Sequence, residues 1–356
     1  MERRKERGGL LSRWGWRGGM VPLLGLLLIL SLNAGPVATT PAEVVGTFAG
    51  KLSFGMLDTG VSERQSLVIW ELRLPRALTA LLTGAALAMA GACLQGLFRN
   101  PLADPGLIGV SSGGAIGAII AISLQPLLLG LPEFVQTLQL PFWSMLGAAG
   151  TTFLVYRLAR IAGKTHVSTL LLAGVAVNAL AGAMVGGVLY LSDNYALRRF
   201  TFWTLGSLHN SGWPDLLLMA PFILGPALLL PRFRRALNAF LLGEAEAYHL
   251  GFPTQTVKNS VIVLCAAMVG VTVAFCGLIG FVGLVVPHLV RLLRGPDFRR
   301  LLPGSAFLGG TIMLGADLVA RTANAPSEIP IGVITALLGA PFFLYLIERR
   351  KRQLAA

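Results

Sequence analysis

Residues 73–123 read RLPRALTALLTGAALAMAGACLQGLFRNPLADPGLIGVSSGGAIGAIIAIS. Two apolar segments, Ala77–Phe98 and Gly106–Ser123, are each near the roughly 20 residues that an α-helix needs to cross a bilayer. A polar elbow that contains two prolines, residues 99–105, separates them. The stretch therefore predicts a hairpin of two membrane-spanning helices.

Both segments are rich in Gly, Ala and Ser, and such small residues let helices approach each other closely in lipid. Gly109, Gly113 and Gly117 recur at every fourth position, so they are predicted to share one face of the second helix. This pattern indicates a hairpin that packs tightly against neighbouring helices of a larger bundle.

The composition of the whole chain is typical of a polytopic membrane protein. Of its 356 residues, 54% are hydrophobic and 13% are charged, and that charged fraction is about half the value for a soluble domain. The net charge of +13 comes from short basic clusters between apolar segments. This placement is typical of cytoplasmic loops, so we expect a lipid bilayer around the chain and no nucleic-acid partner.

The apolar segments predict an all-α polytopic membrane protein with about ten transmembrane helices and both termini in the cytoplasm. In this topology about three quarters of the 29 Lys and Arg residues lie on the cytoplasmic side, as the positive-inside rule expects. Residues 1–19 form a basic N-terminal tail, residues 20–350 a single transmembrane domain, and residues 351–356 a C-terminal tail. The polar residues 37–72 are interpreted as an external segment.

The first apolar run, Met20–Leu32, has two interpretations. Its basic flank and the small residues that follow resemble a secretory signal peptide. A retained first transmembrane helix is favoured, because the chain then has an even number of predicted spans and both termini lie in the cytoplasm.

The chain lacks a complete nucleotide-binding loop. A P-loop needs G-x-x-x-x-G-K-[ST], so that backbone amides surround the phosphates and the lysine reaches them. Gly163, Lys164 and Thr165 match the end of this motif, but Leu158 occupies the position of its first glycine. The three cysteines also lack the C-x-x-C spacing of a metal site. The chain is therefore not expected to be an enzyme, and any ATPase that drives it would be a separate chain.

Several runs carry a resemblance to a known family. Residues 73–76, RLPR, residues 84–113, GAALAMAGACLQGLFRNPLADPGLIGVSSG, and residues 281–295, FVGLVVPHLVRLLRG, resemble the permease subunits of bacterial ABC importers for iron complexes and cobalamin. The resemblance extends over nearly the whole chain from Arg73 onward. It implies a homodimer in the bacterial inner membrane, with two ATP-binding cassette subunits inside and a periplasmic substrate-binding protein outside. ATP would bind to those cassette subunits, and the permease itself would hold no permanent cofactor or metal.

On the predicted outer face, the resemblance assigns a role to three arginines. Arg73, Arg76 and Arg321 lie there against the general charge bias. In the family, arginines at matching positions receive acidic residues of the binding protein. The alternative is that these arginines simply snorkel at helix ends.

On the predicted inner face, a polar helix-like insert at about residues 238–252 looks like the family's coupling helix, which is seated in a groove of the ATPase. Its candidate contacts are Gly243, Glu244, Glu246, His249, Leu250 and Gly251. The alternative is a surface helix without a partner.

Two inner elbows resemble the family's cytoplasmic gate. The first contains Asn100 and Leu102, and the second begins the fifth predicted span at Val167 and Ser168. Prolines in the first elbow prevent the helix from continuing, so the elbow should keep a fixed shape. The alternative is that both are ordinary connectors.

The resemblance favours haem as the substrate, because residues 197–208, LRRFTFWTLGSL, are more similar to the haem-importing members than to the cobalamin importers. A ferric siderophore or cobalamin remains an alternative. A secondary transporter driven by an ion gradient would need paired acids within the membrane, and only Asp317 lies near such a position. A passive channel or membrane scaffold is the remaining class.

Overall fold

The computed structural model describes residues 21–35, 37–53, 60–128, 130, 132–209 and 211–355. Most of these residues lie in helices, which we number α1 to α15 in chain order. The α-helices are α1 Val21–Asn33, α2 Pro41–Leu52, α3 Glu63–Leu67, α4 Leu74–Leu97, α5 Val110–Leu124, α6 Glu133–Leu158, α7 Val167–Leu191, α8 Asn194–Thr204, α9 Trp213–Leu229, α10 Arg234–Phe240, α11 Glu244–His249, α12 Thr254–Cys276, α13 Val282–Arg294, α14 Phe298–Thr322 and α15 Ile331–Ala355.

Shorter elements connect these helices. A π-helical turn, Val68–Arg73, joins α3 to α4. The 3-10 helices are Pro105–Ile108, Gln125–Leu128 and Leu230–Phe233. Two short strands, β1 (Arg160–Ile161) and β2 (Lys164–Thr165), pair antiparallel in a tight hairpin between α6 and α7.

Six helical segments among the described residues are long and apolar enough to cross a membrane. They are Glu63–Leu97, Val110–Leu128, Val167–Leu191, Trp213–Phe240, Thr254–Cys276 and Phe298–Thr322. Val21–Asn33 and Ile331–Tyr345 are shorter apolar helices. The prediction of an all-helical, multi-pass membrane protein is therefore confirmed, whereas the count of ten spans and the location of the termini stay predictions.

The first helix of the predicted hairpin begins earlier than its apolar composition indicates. Helical structure runs without a break from Glu63 to Leu97 rather than beginning at Ala77. The Ser62 hydroxyl caps this start by accepting a hydrogen bond from the Gln65 N–H. The wider π-helical turn ends at Arg73, two residues before Pro75, which has no N–H to donate to the preceding turn.

α4 forms the centre of the bundle, packed against α12, α13 and α14. The α4 and α14 backbones touch at Gly84 and Gly309. A Cβ atom added to Gly84 would lie 2.1 Å from the Gly309 carbonyl oxygen. Any larger residue at this crossing would force the two helices apart.

The predicted glycine face of the hairpin packs against α6. A Cβ atom at Gly113 would lie 2.3 Å from the Gly147 carbonyl oxygen, and one at Gly117 would lie 1.9 Å from the Trp143 carbonyl oxygen. The prediction of close packing is confirmed for these two glycines. Gly109, in contrast, precedes α5 in a left-handed conformation with φ of 85°, because the chain reverses there between the 3-10 turn and the helix.

This packing predicts a difference between two glycines of α6. Gly147→Ala places a methyl group 2.2 Å from the Gly113 carbonyl oxygen, and we expect a loss of about 1–3 kcal/mol in the free energy of unfolding. Gly150→Ala is the matched control, since no atom lies within 4 Å of its added Cβ; alanine's helix propensity should leave stability unchanged or higher. Thermal unfolding of the detergent-solubilised protein compares them. Equal melting temperatures would contradict the tight α5–α6 contact.

Candidate functional site

Arg73 closes the end of α1 instead of reaching into solvent. Only 6% of the residue is exposed. Its Nη1 group donates to the carbonyl oxygens of Leu32 and Asn33, both at 2.8 Å, and to the Thr39 hydroxyl at 2.6 Å. The last carbonyls of a helix have no partner within the helix, so this guanidinium completes the C-terminal end of α1.

Arg321 binds the same end of α1 from the other side. Its Nη1 group donates to the Ala34 carbonyl oxygen at 2.8 Å, and its Nη2 group donates to the Ser31 hydroxyl at 2.8 Å. The Asp317 carboxylate lies one helical turn away, 3.5 Å from the Arg321 Nε atom. Together with Arg73, this residue fastens α1 to α4 and α14.

Arg76 lies between two carboxylates. Its Nη2 group donates to Asp317 Oδ1 at 2.8 Å and to Glu328 Oε2 at 2.9 Å, and its Nη1 group donates to Glu328 Oε1 at 2.8 Å. His209 Nδ1 lies 3.3 Å from Glu328. Burial raises the pKa of Glu328, but its bonds to Arg76, helped by His209, outweigh burial and hold this pKa below its ordinary value.

The three predicted outer arginines thus lie in one cluster, with their guanidinium groups directed into the protein. This arrangement differs from snorkelling, in which the charged group reaches water. Of the three, Arg76 has a partner near the surface, because the Glu328 side chain is 28% exposed. Docking of a binding protein stays a prediction. Sequence reasoning did not identify Glu328 or His209 as partners of this cluster. The sequence does contain a signal for the Asp317–Arg321 contact, because these two residues have the i, i+4 spacing of a helical ion pair.

The inner elbow is held by its own hydrogen bonds. Asn100 Oδ1 accepts from the Leu102 N–H at 2.9 Å, and Asp104 Oδ1 accepts from the Gly106 N–H at 2.7 Å. Burial raises the pKa of Asp104, and the bond from Gly106 opposes this rise. These two hydrogen bonds support the fixed shape that the prolines predict.

α7 packs directly onto the 3-10 turn, Pro105–Ile108, that follows this elbow. A Cβ atom at Gly174 would lie 1.9 Å from the Leu107 carbonyl oxygen. Asn178 Nδ2 donates to the Gly106 carbonyl oxygen at 3.3 Å, and the Ser112 hydroxyl donates to Asn178 Oδ1 at 2.6 Å. These contacts fix α7 against the turn that follows the first predicted gate segment.

The predicted gate side chains differ in exposure. Leu102 is 60% exposed, Ser168 is exposed, and Asn100 and Val167 are half-buried. A bulky apolar side chain at the tip of a fixed elbow lies where a second chain could cover it. Their action as a gate stays a prediction.

The predicted coupling helix at about residues 238–252 is two short helices, α10 and α11, rather than one. Gly243 interrupts it with φ of 149°, and the Glu246 carboxylate folds back over this glycine. Asn238 fixes α10 by donating to Asp297 Oδ1 at 2.7 Å. The hydrogen bond from the Arg299 N–H and, to a smaller extent, the one from the Asn238 side chain lower the pKa of Asp297.

The predicted coupling contacts divide into two sets. Glu244 pairs with Lys258 at 2.6 Å although its side chain is 49% exposed, and Gly243 is buried. The other predicted contacts, Glu246, His249, Leu250 and Gly251, are exposed, as is Tyr248. The exposed set forms a surface of mixed apolar and polar groups, which we call the α11 surface.

α7 leaves most of its surface uncovered. Within the apolar 18-residue stretch of α7, 22% of the residues are buried, compared with 78% in the corresponding stretch of the segment that contains α4. Leu172, Val175 and Leu180 are more than half exposed, and nothing lies within 4 Å of a Cβ added to Gly182 or Gly186. Gly182 and Gly186, which are four residues apart, therefore face away from the rest of the described protomer.

Two other features of the described residues lie apart from these sites. An apolar cavity of about 430 Å³ lies between α6, α9 and α12, lined by residues that include Ala148, Thr152, Phe222 and Ala266. Among the residues that the structure describes, no three His, Cys, Asp or Glu side chains form a group that could hold a metal ion.

Comparisons with known proteins agree with this architecture. The model of the FecCD transport family matches residues 23–349. The hemin transport system permease protein HmuU of Yersinia pestis is 42% identical over 336 residues, which cover 93% of this chain and 95% of that protein. The cobalamin import system permease protein BtuC of Halobacterium salinarum is 42% identical over 295 residues, covering 83% and 77%.

A solved structure is also similar. It is a metal-chelate type ABC transporter in an inward-facing conformation, with a TM-score of 0.79 and 35% identity, and the match covers 93% of this chain and 98% of that one. The family resemblance that the sequence carries is thereby confirmed. The chain belongs to the FecCD transport family.

Proposed function

We propose that this chain is the transmembrane permease subunit of an ATP-driven ABC importer that moves an iron complex, haem in preference to other chelates, from the periplasm to the cytoplasm. The observation that carries the proposal is the match over residues 23–349 to the family, together with 42% identity to a hemin permease. ATP hydrolysis takes place on separate cassette subunits. The transported complex is the substrate and not a resident cofactor.

The proposed topology has about ten spans, with both termini in the cytoplasm of a bacterial cell and the chain in the inner membrane. Helices α1, α4, α5, α6, α7, α9, α12, α13, α14 and α15 supply the spans. The distribution of basic residues supports this orientation. Residues 20–350 form the permease domain between two short tails.

The functional unit is a homodimer whose pathway lies between the two copies. The uncovered face of α7 supports this arrangement, because its open glycines at 182 and 186 permit close approach of a second helix. A pathway at a two-fold axis uses the same surface of both copies.

The α11 surface docks the ATPase on the inner face. Leu250 and Tyr248, which are 60% and 68% exposed, supply apolar contact, and Glu246 and His249 supply polar contacts at its edge. Two cassette subunits bind one such surface each.

The outer arginine cluster receives the substrate-binding protein through Arg76. A carboxylate of that protein replaces Glu328 as the partner of Arg76, since a guanidinium pairs with a carboxylate by two parallel hydrogen bonds. Arg73 and Arg321 support this contact indirectly by fixing α1 behind it.

The substrate assignment depends on α8 as well as on the relatives. Arg198 is exposed on this helix, and Arg199 lies 5.6 Å from the centre of the Tyr195 ring. Cationic and aromatic groups suit the carboxylates and the flat ring of haem. A ferric siderophore or cobalamin moved by the same mechanism is the alternative, which the cobalamin permease at 42% identity favours.

An ion-coupled secondary transporter is the further alternative. It requires an acidic residue within the membrane that can exchange protons or ions. Asp317 accepts hydrogen bonds from Arg76 and lies beside Arg321. This carboxylate therefore serves as a counter-ion, which supports the ATP-driven mechanism.

Uptake into vesicles tests the proposed function. The permease, its ATPase and its binding protein are placed in phosphatidylethanolamine and phosphatidylglycerol vesicles, and we expect haem to accumulate only when ATP is hydrolysed. Uptake that needs an ion gradient but no ATP would indicate a secondary transporter, and uptake that needs neither would indicate a channel. Ferric siderophore and cobalamin measured in parallel test the substrate.

Arg76→Gln tests docking on the outer face. The variant should bind the substrate-binding protein at least about tenfold more weakly, because one charge-assisted contact is worth roughly 1.5–3 kcal/mol, and the loss should be larger at low salt. Basal ATP hydrolysis should not change. Arg64→Gln, an exposed arginine of α3, is the matched control. Unchanged affinity in Arg76→Gln would leave the cluster with only its structural role.

Leu102→Cys tests the gate. In a symmetric dimer the exposed side chain should meet its twin or the start of α7, so a spacer of about 10 Å, near the separation of packed helix axes, should link the protomers in one nucleotide state only. Transport should stop with the link and recover on reduction. The native cysteines are buried, and Leu127→Cys, exposed near the opposite end of α5, is the control. A link in none of the states would place Leu102 away from the axis, and a link in every state would show that the elbows do not separate; either result would contradict the gate.

A further inference from the structure

Lys258 is a buried lysine in the second turn of α12, on a segment long and apolar enough to cross the membrane. The whole residue is 1% exposed. An ammonium group in such surroundings is unfavourable unless it is paired, and it marks a functional position by default. The groups that surround it therefore decide what it does.

The Lys258 ammonium joins two segments that are far apart in the sequence. Its Nζ atom donates to Glu244 Oε1 at 2.6 Å and to the Thr165 carbonyl oxygen at 2.6 Å. Glu244 begins α11, and Thr165 ends the β1–β2 hairpin. Both bonds are charge-assisted, and bonds of this type are roughly twice as strong as neutral ones.

Other side chains of α12 also hold Thr165 in place. Its N–H donates to Gln255 Oε1 at 3.0 Å, and Gln255 Nε2 donates to the Thr165 hydroxyl at 2.7 Å and to Asn259 Oδ1 at 2.8 Å. α7 begins at Val167, two residues after Thr165. A displacement of Thr165 is therefore passed over a very short length of chain to the inner end of α7.

We propose that Lys258 is the positioning residue that transmits movement of α11 to the inner end of α7. The inference rests on the proposed function, in which α11 docks the ATPase and α7 borders the gate. When the ATPase displaces α11, Glu244 pulls on the ammonium group, and the ammonium group pulls on the carbonyl of Thr165. Glu244 is thus the part of the coupling segment that contacts Lys258, and the α11 surface is the part that the ATPase binds.

Lys258→Met tests this link, because it removes both hydrogen bonds but retains a long apolar side chain. Glu244 is 49% exposed and can regain water, so the variant should fold. The ATPase should co-purify with the variant as with the wild type and hydrolyse ATP at the basal rate. The amount of haem taken up per ATP hydrolysed should fall at least tenfold.

Two further variants make the test specific. Lys164→Met removes an exposed lysine from β2, next to Thr165, and should leave the coupling ratio at the wild-type value. Lys258→Gln keeps a donor for Thr165 but has no charge for Glu244, and it should lower the coupling ratio as Lys258→Met does. Thermal unfolding is measured for each variant, and a coupling ratio is compared only among folded proteins.

The possible results distinguish the link from the proposed function. A wild-type coupling ratio in folded Lys258→Met or Lys258→Gln would overturn the role of Lys258, as would an equal fall in Lys164→Met. Loss of ATPase association in the Lys258 variants would also overturn it, because Lys258 would then support docking itself. If the wild-type complex shows no ATP-driven uptake, the proposed function fails first.

Discussion

The fold depends on direct contact between helix backbones inside a lipid bilayer, where the hydrophobic effect does not drive helices together. Lipid tails are as apolar as leucine, so helices associate in a membrane through close packing and polar contacts. In this chain the closest contacts occur where glycines oppose a backbone, as at Gly84 with Gly309 and at Gly113 with Gly147. These contacts place α4 at the centre and fix α5 against α6, and the elbow between α4 and α5 is thereby held in place.

Charged groups complete the structure where helical backbone ends. Arg73 and Arg321 supply donors to the last carbonyls of α1, and Lys258 supplies a donor to the end of the β1–β2 hairpin. In water such carbonyls would find other partners, but within a membrane each unpaired group is costly. The buried cations therefore satisfy carbonyl groups at two of the places where the described chain leaves regular helix.

The sequence predicted the parts of this structure that depend on composition and spacing. The helical hairpin, the close-packing role of Gly113 and Gly117, and the shape of the proline elbow all follow from local patterns. The start of the continuous helical segment at Glu63 was not predicted, because residues 63–66 are all polar and charged residues recur at Glu71, Arg73 and Arg76. The gate residues and the α11 surface were identified through resemblance, and the spacing of residues alone does not imply those roles.

Partners from distant parts of the chain were also beyond sequence reasoning. Arg76 and Glu328 are 252 positions apart. An arginine or a glutamate at these positions does not by itself indicate which residue it will pair with. Arg73 binds backbone carbonyls, which every residue carries and which therefore leave no signal in the sequence. For the same reason Lys258 reads only as an ordinary basic residue near the inner end of a span, until Glu244 and the Thr165 carbonyl are placed beside it.

The arginine cluster also bears on the two interpretations of the first apolar run. A signal peptide would be removed after synthesis, and the carbonyls of Ser31, Leu32 and Asn33 would leave with it. Arg73 would then lose the Leu32 and Asn33 carbonyls and keep the Thr39 hydroxyl, and Arg321 would lose Ser31 and Ala34 and keep Asp317 beside it. Removing most of the acceptors of a charged group within a bundle is unfavourable. The contacts therefore favour an α1 that stays in the membrane as part of the permease, fastened at its outer end by arginines from both α14 and the segment that precedes α4.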